Sequence, residues 1–359
     1  MVKIMYKYNL NDVEWGEFKV GGKDGIFKVS NSKSYHKTNL TVSSNGIPYV
    51  TRTSINNGLQ DLIVDENYEK NPKNTISLGA ENADFFFQGI DYVSGNKMYS
   101  IGNNKITREI GLFLVQVFRQ SIKECGFGYG KGLTGTRFKN RYIMLPIDEN
   151  SNPNWLFMEE YIKERENKQR QELKDYYKNR LLDLVIRPEV LTDVEWRAFK
   201  VGNIFNKLRR GKTTPRQTEF GKTKYSYIGA KYNDNGVVDF VDIGTKFKGN
   251  AICFVMTGEG SVGKSFYKQE DFVPSNNIYV GYFDKLNRYN GLFVVSAINK
   301  QSERYNYGYI RNENRLKNEV IILPEDKNGN PNWHFMENFI KNIEQKQIKN
   351  ILKYLDQYI

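Results

Sequence analysis

The sequence predicts an α+β fold in which two β-rich globular domains alternate with two long helices, as a pseudo-twofold tandem repeat. Two internal repeats carry this prediction. At a constant offset of 178 residues, 20 of the 34 positions in the segment 137–170 are identical to those in 315–348. A shorter repeat lies upstream, where DVEWGEFKVG begins at Asp12 and DVEWRAFKVG at Asp193, with 8 of 10 residues identical. The chain is therefore a duplication of one unit, which runs from a DVEW segment to a long charged helix.

The ends of the repeats predict four segments. They are a globular domain at 1–152, a central helix at 153–187, a second globular domain at 188–330 and a C-terminal helix at 331–359. Before each helix, a run ending in Leu-Pro precedes an Asn-rich turn and the sequence Asn-Pro-Asn-Trp. The second proline suits the start of a helix, where a missing N–H costs little. The Arg-Pro pair at 187–188 ends the central helix, because the residue before a proline disfavours the α conformation.

Inside the first domain, short runs of β-branched and aromatic residues separated by Gly and Asn predict strands. These runs are EWGEFKV, TISL, ADFFFQG, DYVSG, KMYSI, RYIMLP and the hairpin IPYVTRTSINNGLQDLIV, which turns at Asn-Asn-Gly. The segment 111–122 (GLFLVQVFRQSI) is the predicted helix of this domain, and 125–135 is a predicted Gly-rich loop. The second domain repeats the plan with different loops.

Each long helix carries an apolar stripe interrupted by charge. A lone helix of this kind is unstable and needs a partner. The first is predicted over about 154–185 and is then roughly 50 Å long at 1.5 Å per residue. We expect the two helices to pack as an antiparallel coiled coil. The predicted pairing residues are Met158, Ile162, Leu173, Leu181, Ile340, Ile343, Leu352 and Leu355.

The net charge of +12 is concentrated outside the long helices. The helical segment 159–187 has eight basic against seven acidic residues, and 337–359 has four against three, so +10 remains for the rest of the chain. A basic excess on the globular parts favours a polyanionic partner, with nucleic acid as the first candidate. The alternative is a general scaffold that is basic only for solubility, which would bind DNA without sequence preference.

Signals of enzymes, metal sites and membranes are scarce. Cys125 and Cys253 are isolated, and the chain has two histidines, so neither a disulfide framework nor a zinc site is indicated. The sequence contains no GxSxG or HExxH motif. No apolar run approaches the length of a bilayer, and the N-terminus lacks the features of a signal peptide. We expect a cytoplasmic protein without catalytic activity, cofactor or metal.

One motif points elsewhere. GEGSVGKS, from Gly258 to Ser265, matches the phosphate-binding P-loop pattern and follows an apolar strand, AICFVM. A P-loop opens a helix whose N-terminus faces the phosphates. Here the chain reaches Pro274 within nine residues of Ser265. The favoured interpretation is a glycine turn between strands, and a nucleotide-binding protein is the alternative.

Basic loops interleaved with polar and aromatic residues are the candidates for DNA contact. Arg and Lys hold phosphates or read guanine edges. Arg137 and Arg315 occupy the same place in the two repeats, which suits a shared phosphate-binding or scaffold role. The predicted DNA-binding residues are Lys33, Lys37, Arg52, Lys131, Arg137, Arg209, Arg210, Lys212, Arg216, Lys222, Lys224, Arg304, Tyr305, Arg311 and Arg315.

The alternation of domain and helix, with a repeated LP…NPNWxFME helix start, resembles the DNA-specificity (S) subunits of Type I restriction-modification systems and their BcgI-like Type IIB relatives. The resemblance covers essentially the whole chain. The Pro-Pro-Leu…Glu-Gln junction common in Type I subunits is replaced here by LPIDENSNPNW and LPEDKNGNPNW. This departure leaves the choice between the two kinds of system open.

The resemblance implies two target recognition domains, each reading half of a bipartite, asymmetric site in double-stranded DNA. It implies that the helices act as a ruler and as a docking surface for DNA methyltransferase subunits, with a restriction endonuclease subunit as a further partner in some systems. It also implies no catalytic activity and no cofactor. The base-reading residues of the family lie in its variable loops, so none is transferred to a position of this chain.

Overall fold

The protein divides into two structural units at a point inside the first long helix. The structure is a computed structural model that describes residues 7–128, 130–184, 189–258, 260–306 and 308–357. The first unit is Met1–Leu173 and the second is Lys174–Ile359. The predicted end of the central helix at 187–188 lies outside the described residues.

The first unit contains the strands and helices that the sequence predicts, in the predicted order. Its elements are β1 (Trp15–Lys19), β2 (Lys28–Asn31), β3 (Val42–Val50), β4 (Leu59–Ile63), β5 (Thr75–Gly79), β6 (Asp84–Gln88), β7 (Val93–Ser94), β8 (Met98–Gly102), α1 (Arg108–Ile122), α2 (Gly135–Lys139), β9 (Tyr142–Pro146) and the start of α3 (Trp155–Leu182). The predicted helix over 111–122 is confirmed and begins one turn earlier, because the Thr107 hydroxyl caps it by accepting a hydrogen bond from Ile110 N.

Three sheets build the first unit. One has four antiparallel strands in the order β2-β8-β5-β6, another has the order β4-β3-β7, and β1 pairs with β9. Helix α1 packs against the four-stranded sheet and β9. Phe85, Phe118 and Phe138 meet in the core, with ring centroids 4.9 to 5.4 Å apart. The interleaved aromatic residues of the sequence thus form the core between sheet and helix.

The second unit repeats this plan. Its elements after α3 are β10 (Trp196–Lys200), α4 (Val201–Ile204), β11 (Lys207–Arg210), β12 (Tyr225–Ile228), β13 (Val237–Val241), β14 (Ala251–Val255), β15 (Ser265–Lys268), β16 (Phe272–Pro274), β17 (Ile278–Tyr282), α5 (Arg288–Asn299), α6 (Glu313–Asn318), β18 (Val320–Pro324) and α7 (Trp333–Asp356). Its sheets have the orders β11-β17-β14-β15, β13-β12-β16 and β10-β18. Each sheet matches one of the first unit, so the duplication of the sequence is a duplication of the fold.

The predicted hairpin is confirmed as β3–β4, and the second unit has its counterpart in β12–β13. Both turns require left-handed backbone, with φ of 55° at Asn57 and 76° at Gly58. The counterparts Asn235 and Gly236 have φ of 53° and 75°. Asn and Gly tolerate this conformation better than other residues, which explains why an Asn-Gly pair stands in both turns.

The first turns of the long helices pack against their own domains. Met158 is fully buried in the core of the first unit, and Ile162 packs against that core. In the second unit, Met336 and Ile340 pack in the same way. Met158 is therefore a core residue, and the prediction that it pairs the two helices is wrong; for Ile162 and Ile340 helix pairing stays a prediction. A heptad-like stripe gives the buried face of a helix but does not identify what covers it.

Beyond these anchors, the end of α3 lies beside α7 within the second unit. Lys174 Nζ lies 2.7 Å from an Asp356 oxygen, and Arg180 Nε lies 2.7 Å from a Glu344 oxygen. The partner number falls as the α3 number rises, so the two segments run in opposite directions. The other predicted pairing residues lie between half-buried and exposed; they are Leu173, Leu181, Ile343, Leu352 and Leu355.

Candidate nucleic-acid interface

The second unit contains an open cleft of about 910 Å³ beside the edge strand β11. Its basic residues outnumber its acidic ones, since Asp284 alone among the lining residues carries a carboxylate. The basic side chains are Lys207, Arg209, Arg210, Lys212, Lys246 and Lys248. Three of them, Arg209, Arg210 and Lys212, are among the predicted DNA-binding residues. The cleft therefore brings together part of the predicted set with lysines from a distant loop.

Strand pairing positions one wall of the cleft. β11 pairs antiparallel with β17, which sets Lys207 opposite Tyr282. Directly opposed residues share a face of the sheet, and Lys207 Nζ lies 5.8 Å from the Tyr282 ring centroid. Burial raises the pKa of Tyr282 to about 12, so the phenol is neutral and donates a hydrogen bond to Lys248 O at 2.8 Å. Tyr282 thus connects the strand to the loop at 246–249.

Asp271 holds the opposite wall. Its carboxylate accepts a hydrogen bond from Gly249 N at 2.9 Å and lies 3.2 Å from Lys248 Nζ and 3.8 Å from Lys246 Nζ. The Gly249 N–H and the Lys248 ammonium lower the pKa of Asp271, so this group is ionised at neutral pH. One carboxylate orders the loop and leaves the cleft with a basic excess.

The cations of the cleft differ in how they are held. Arg210 Nε donates to Asn276 O at 2.8 Å, which uses part of its hydrogen-bonding capacity. Within the described ranges, Arg209 and Lys212 have no hydrogen-bond or ion-pair partner, and both are exposed. An open surface with unpaired cations is what a phosphate backbone requires.

Two predicted DNA-binding residues are buried and form part of the core. Arg311 is 0% exposed and Tyr305 is 7% exposed. Arg311 Nη2 lies 2.7 Å from Glu319 Oε2, which also accepts a hydrogen bond from the Tyr305 hydroxyl at 3.1 Å. The prediction that Arg311 and Tyr305 contact DNA is therefore wrong. The polar sequence of this loop gave no sign that Glu319, eight residues on, neutralises the arginine inside the protein.

The recurring arginines support the loop that precedes them. Arg137 Nη1 donates to Gly132 O at 2.6 Å, and Arg315 Nη1 donates to Ile310 O at 2.7 Å, five residues upstream in both cases. Lys131 in the same loop donates to Cys125 O at 2.9 Å. These contacts favour the scaffold role. Lys131 and Arg137 are exposed and Arg315 is half-buried, and their contact with DNA stays a prediction.

In the first unit, Lys37 and Arg52 line a smaller cleft of about 420 Å³. Both are neutralised. Lys37 Nζ lies 2.8 Å from Asp61 Oδ2, and Arg52 forms an ion pair with Glu81, which also binds Lys97 Nζ at 2.6 Å. Among the described residues, Lys37 and Arg52 thus each have a carboxylate partner, whereas Arg209 and Lys212 in the cleft of the second unit have none.

The remaining predicted residues are solvent-facing and stay predictions. Lys222 Nζ lies 3.4 Å from Glu219, and Lys224 Nζ lies 5.5 Å from the Tyr225 ring centroid. The exposed members of this group are Lys33, Arg216, Lys222, Lys224 and Arg304. Four residues that line the cleft are absent from the set predicted from the sequence: Lys207, Lys246, Lys248 and Tyr282. The signal available for them was the alternation of lysine with aromatic residues, as in KFKGN at 246–250.

The P-loop-like segment is a turn between two strands. β14 ends at Val255 and the motif passes into strand β15 at Ser265, where a P-loop requires a helix. Lys264 Nζ lies 4.9 Å from the Tyr232 ring centroid. Arg311 Nη1 donates to Gly263 O at 3.0 Å and holds the turn from inside. The glycine-turn interpretation is confirmed, and nucleotide binding finds no support in this geometry.

Two further properties bear on the class of site. Among the described residues, no three His, Cys, Asp or Glu side chains are grouped so that they would hold a metal ion. In the same part of the chain, no helix combines the length and apolar character that crossing a membrane requires.

The known proteins that this chain is similar to are specificity subunits of restriction systems. The model of the Type I restriction modification DNA specificity domain matches the chain twice, at residues 12–175 and 193–354. The chain is 27% identical over 331 residues to the Type II restriction enzyme BgcI specificity subunit S.BcgI of Heyndrickxia coagulans, over 90% of this chain and 93% of that one. The crystal structure of a Type-I restriction-modification S subunit from M. genitalium is similar with a TM-score of 0.56 and 15% identity, over 97% of this chain and 93% of that one. This last likeness shows a common fold.

Proposed function

The chain belongs to the family of Type I restriction modification DNA specificity domains, and on that premise we propose that it reads a bipartite, asymmetric site in double-stranded DNA. Each unit takes one half-site. The observation that carries the proposal is a duplicated frame with unlike basic surfaces. The second unit has an open cleft with unpaired cations at Arg209 and Lys212, whereas Lys37 and Arg52 of the first unit are ion-paired. Equivalent frames with unlike surfaces suit two different half-sites.

The chain supplies recognition, and separate subunits supply catalysis. The family role is DNA specificity. The cleft is lined by basic side chains and Tyr282, and its lining residues include no group of acids and bases placed for catalysis. Cations and aromatic rings hold phosphates and contact bases but do not by themselves break or form covalent bonds. The proposed partners are DNA methyltransferase subunits, with a restriction endonuclease subunit as a further component.

Selection of bound sequences from a random DNA pool tests the function. The chain is co-expressed with the DNA methyltransferase subunit proposed as its partner, and the purified complex is used for selection. We expect one enriched motif with two unlike half-sites separated by a fixed gap. Salt-sensitive binding without any enriched motif would instead establish the non-specific scaffold and contradict the proposal.

Two equivalent apolar grooves support the docking of a partner. In the first unit the Trp15 ring stacks on Phe113 at a centroid distance of 6.5 Å, and Met144 lies 47% exposed in the same groove of about 460 Å³. In the second unit Trp196 stacks on Phe293 at 6.3 Å in a groove of about 510 Å³. Exposed apolar patches of this kind mark protein–protein contacts. A repeated groove suits two copies of one partner, and we assign the methyltransferase subunits to it.

Charge placed in either groove is expected to remove one methyltransferase subunit from the complex. Met144 and its counterpart Ile322 are both about half exposed, so lysine at either position is tolerated by the fold. We expect Met144→Lys or Ile322→Lys to halve the methyltransferase that co-purifies, and the double variant to retain none. Mass measurement of the complex reads the stoichiometry. Ile55→Lys, on an exposed turn outside the grooves, is the control and should retain two; equal retention by all variants would exclude the grooves.

The long helices are proposed to pair as an antiparallel coiled coil and to set the gap between half-sites. The ion pairs Lys174–Asp356 and Arg180–Glu344 support the antiparallel direction. Leu184 and Ile348 are buried beside them. Helix α3 has 28 residues and is therefore about 42 Å long, which is of the order of one turn of DNA or more.

A further inference from the structure

The two units differ at one strand pair that the fold keeps in register. In the second unit, Lys207 of β11 pairs with Tyr282 of β17. In the first unit, Lys28 of β2 pairs with Gly102 of β8. The lysine at the start of the strand is thus common to both units, and the residue opposite it changes from an aromatic ring to glycine.

Two residues further along the same strand, the side chains of the two units differ more. Arg209 stands opposite Val280, and its counterpart Ser30 stands opposite Ser100. Because alternate residues of a strand share a face, Arg209 lies on the face of Lys207 and lines the cleft. The serine at the equivalent place is shorter and uncharged. The same backbone therefore presents a guanidinium in one unit and a hydroxyl in the other.

The guanidinium of Arg209 is not used by the protein itself. It has no hydrogen-bond or ion-pair partner among the described residues, and the side chain is exposed. Its charge lies close enough to Tyr282 to oppose, in part, the rise in the pKa of that phenol. An edge strand and the partly buried ring of Tyr282 thus position a guanidinium that is free to bind a ligand.

Residues that hold phosphates can be the same in both units, since the DNA backbone is the same at any sequence. Lys28 and Lys207 fit this role. Residues that distinguish two half-sites must differ between the units. Arg209 differs from Ser30 in charge, length and donor number, and Arg is the side chain that reads guanine O6 and N7 with two parallel hydrogen bonds.

We propose that Arg209 reads a guanine in the half-site of the second unit, and that Ser30 makes the corresponding position of the other half-site different. This assignment rests on the proposed function, since it requires that the chain reads a split DNA site. It adds the residue and the base that distinguish one half-site from the other.

Sequence selection with three variants tests the proposal. Arg209→Lys keeps the charge and loses the two-pronged donor geometry, and Arg209→Ser copies the first unit. Both are expected to lower the preference for guanine at one position of one half-site by roughly 10- to 100-fold, with the remaining positions unchanged. Ser30→Arg is expected to alter the other half-site.

Arg288→Ser is the matched control. Arg288 is an exposed arginine of the second unit at the start of α5 and does not line the cleft, so its loss should leave the guanine preference intact. The assignment is overturned if Arg209→Lys keeps the complete motif, or if Arg288→Ser removes the same guanine. A wild-type complex that enriches no motif would overturn the proposed function and this assignment with it, which separates the two failures.

Discussion

Replacement of Arg311 by alanine is expected to lower the free energy of unfolding of the second unit by about 3–5 kcal/mol. Arg311 is 0% exposed and Glu319 is 3% exposed. Arg311 binds Glu319 at 2.7 Å and also donates to Gly263 O and Ser265 Oγ, both at 3.0 Å. Its loss leaves a carboxylate buried without its counter-charge. The cost of that unpaired charge exceeds the cost of the cavity.

Amide hydrogen exchange measures this effect in each unit separately. Protection should fall by the stated amount in β14 and β17 of the second unit and stay unchanged in β5 and β8 of the first. The first unit also suggests a control variant, because it carries an apolar residue at the place of Arg311. The backbone N–H of Leu133 donates to Ala80 O at 2.7 Å, as that of Arg311 donates to Met256 O at 3.0 Å, so Leu133 occupies the equivalent site.

The double variant Arg311→Leu with Glu319→Leu should therefore regain most of the stability, to within about 1 kcal/mol of the wild type, because apolar pairs often replace buried ion pairs without loss. If the double variant were as unstable as Arg311→Ala, the unpaired carboxylate would not be the cause. The Tyr305 hydroxyl also loses its acceptor in this variant, which sets the expected residual cost.

Neutralisation of the cleft should weaken DNA binding more than any other surface change. The variant carries Lys207→Gln, Arg209→Gln, Arg210→Gln and Lys212→Gln. Each phosphate contact releases close to one counterion, so the plot of log binding constant against log salt should become less steep by about 3–4. At 0.1 M salt the affinity should fall on the order of 10³-fold. Titration of the complex with its selected duplex across a salt series gives both quantities.

The control removes the same number of charges elsewhere in the second unit. The control variant changes four exposed lysines, one in the turn between β18 and α7 and three in α7. The substitutions are Lys327→Gln, Lys346→Gln, Lys349→Gln and Lys353→Gln. Without these charges, the slope of log binding constant against log salt should differ from the wild-type slope by no more than about one. Equal slopes for the two quadruple variants would show that net charge, and not the cleft, drives binding.

Burial distinguishes an arginine that is available to bind DNA from an arginine that stabilises the fold. Arg209 and Arg311 belong to the same residue type, and each directly follows an aliphatic residue, Leu208 or Ile310. One is exposed at a sheet edge, and the other is enclosed with Glu319. A carboxylate that comes later in the chain and meets the guanidinium through the fold decides which role each arginine has.

The sequence by itself determined the duplication, the order of the elements and the family resemblance. Repeats such as DVEW and NPNW fix these features because local propensity and periodic apolar residues act over a few residues at a time. The same local rules predicted the Asn-Gly hairpin turn and the glycine turn at 258–264, which the structure confirms.

Tertiary structure alone decided which charges face solvent and which helix positions pack on which partner. Met158 belongs to the first core and not to a helix pair. Lys246 and Lys248 join Arg209 in one cleft although the loop and the strand are far apart in sequence. Long-range packing sets burial and charge pairing, and neither is encoded in a short window of sequence; the fold has to bring the partners together first.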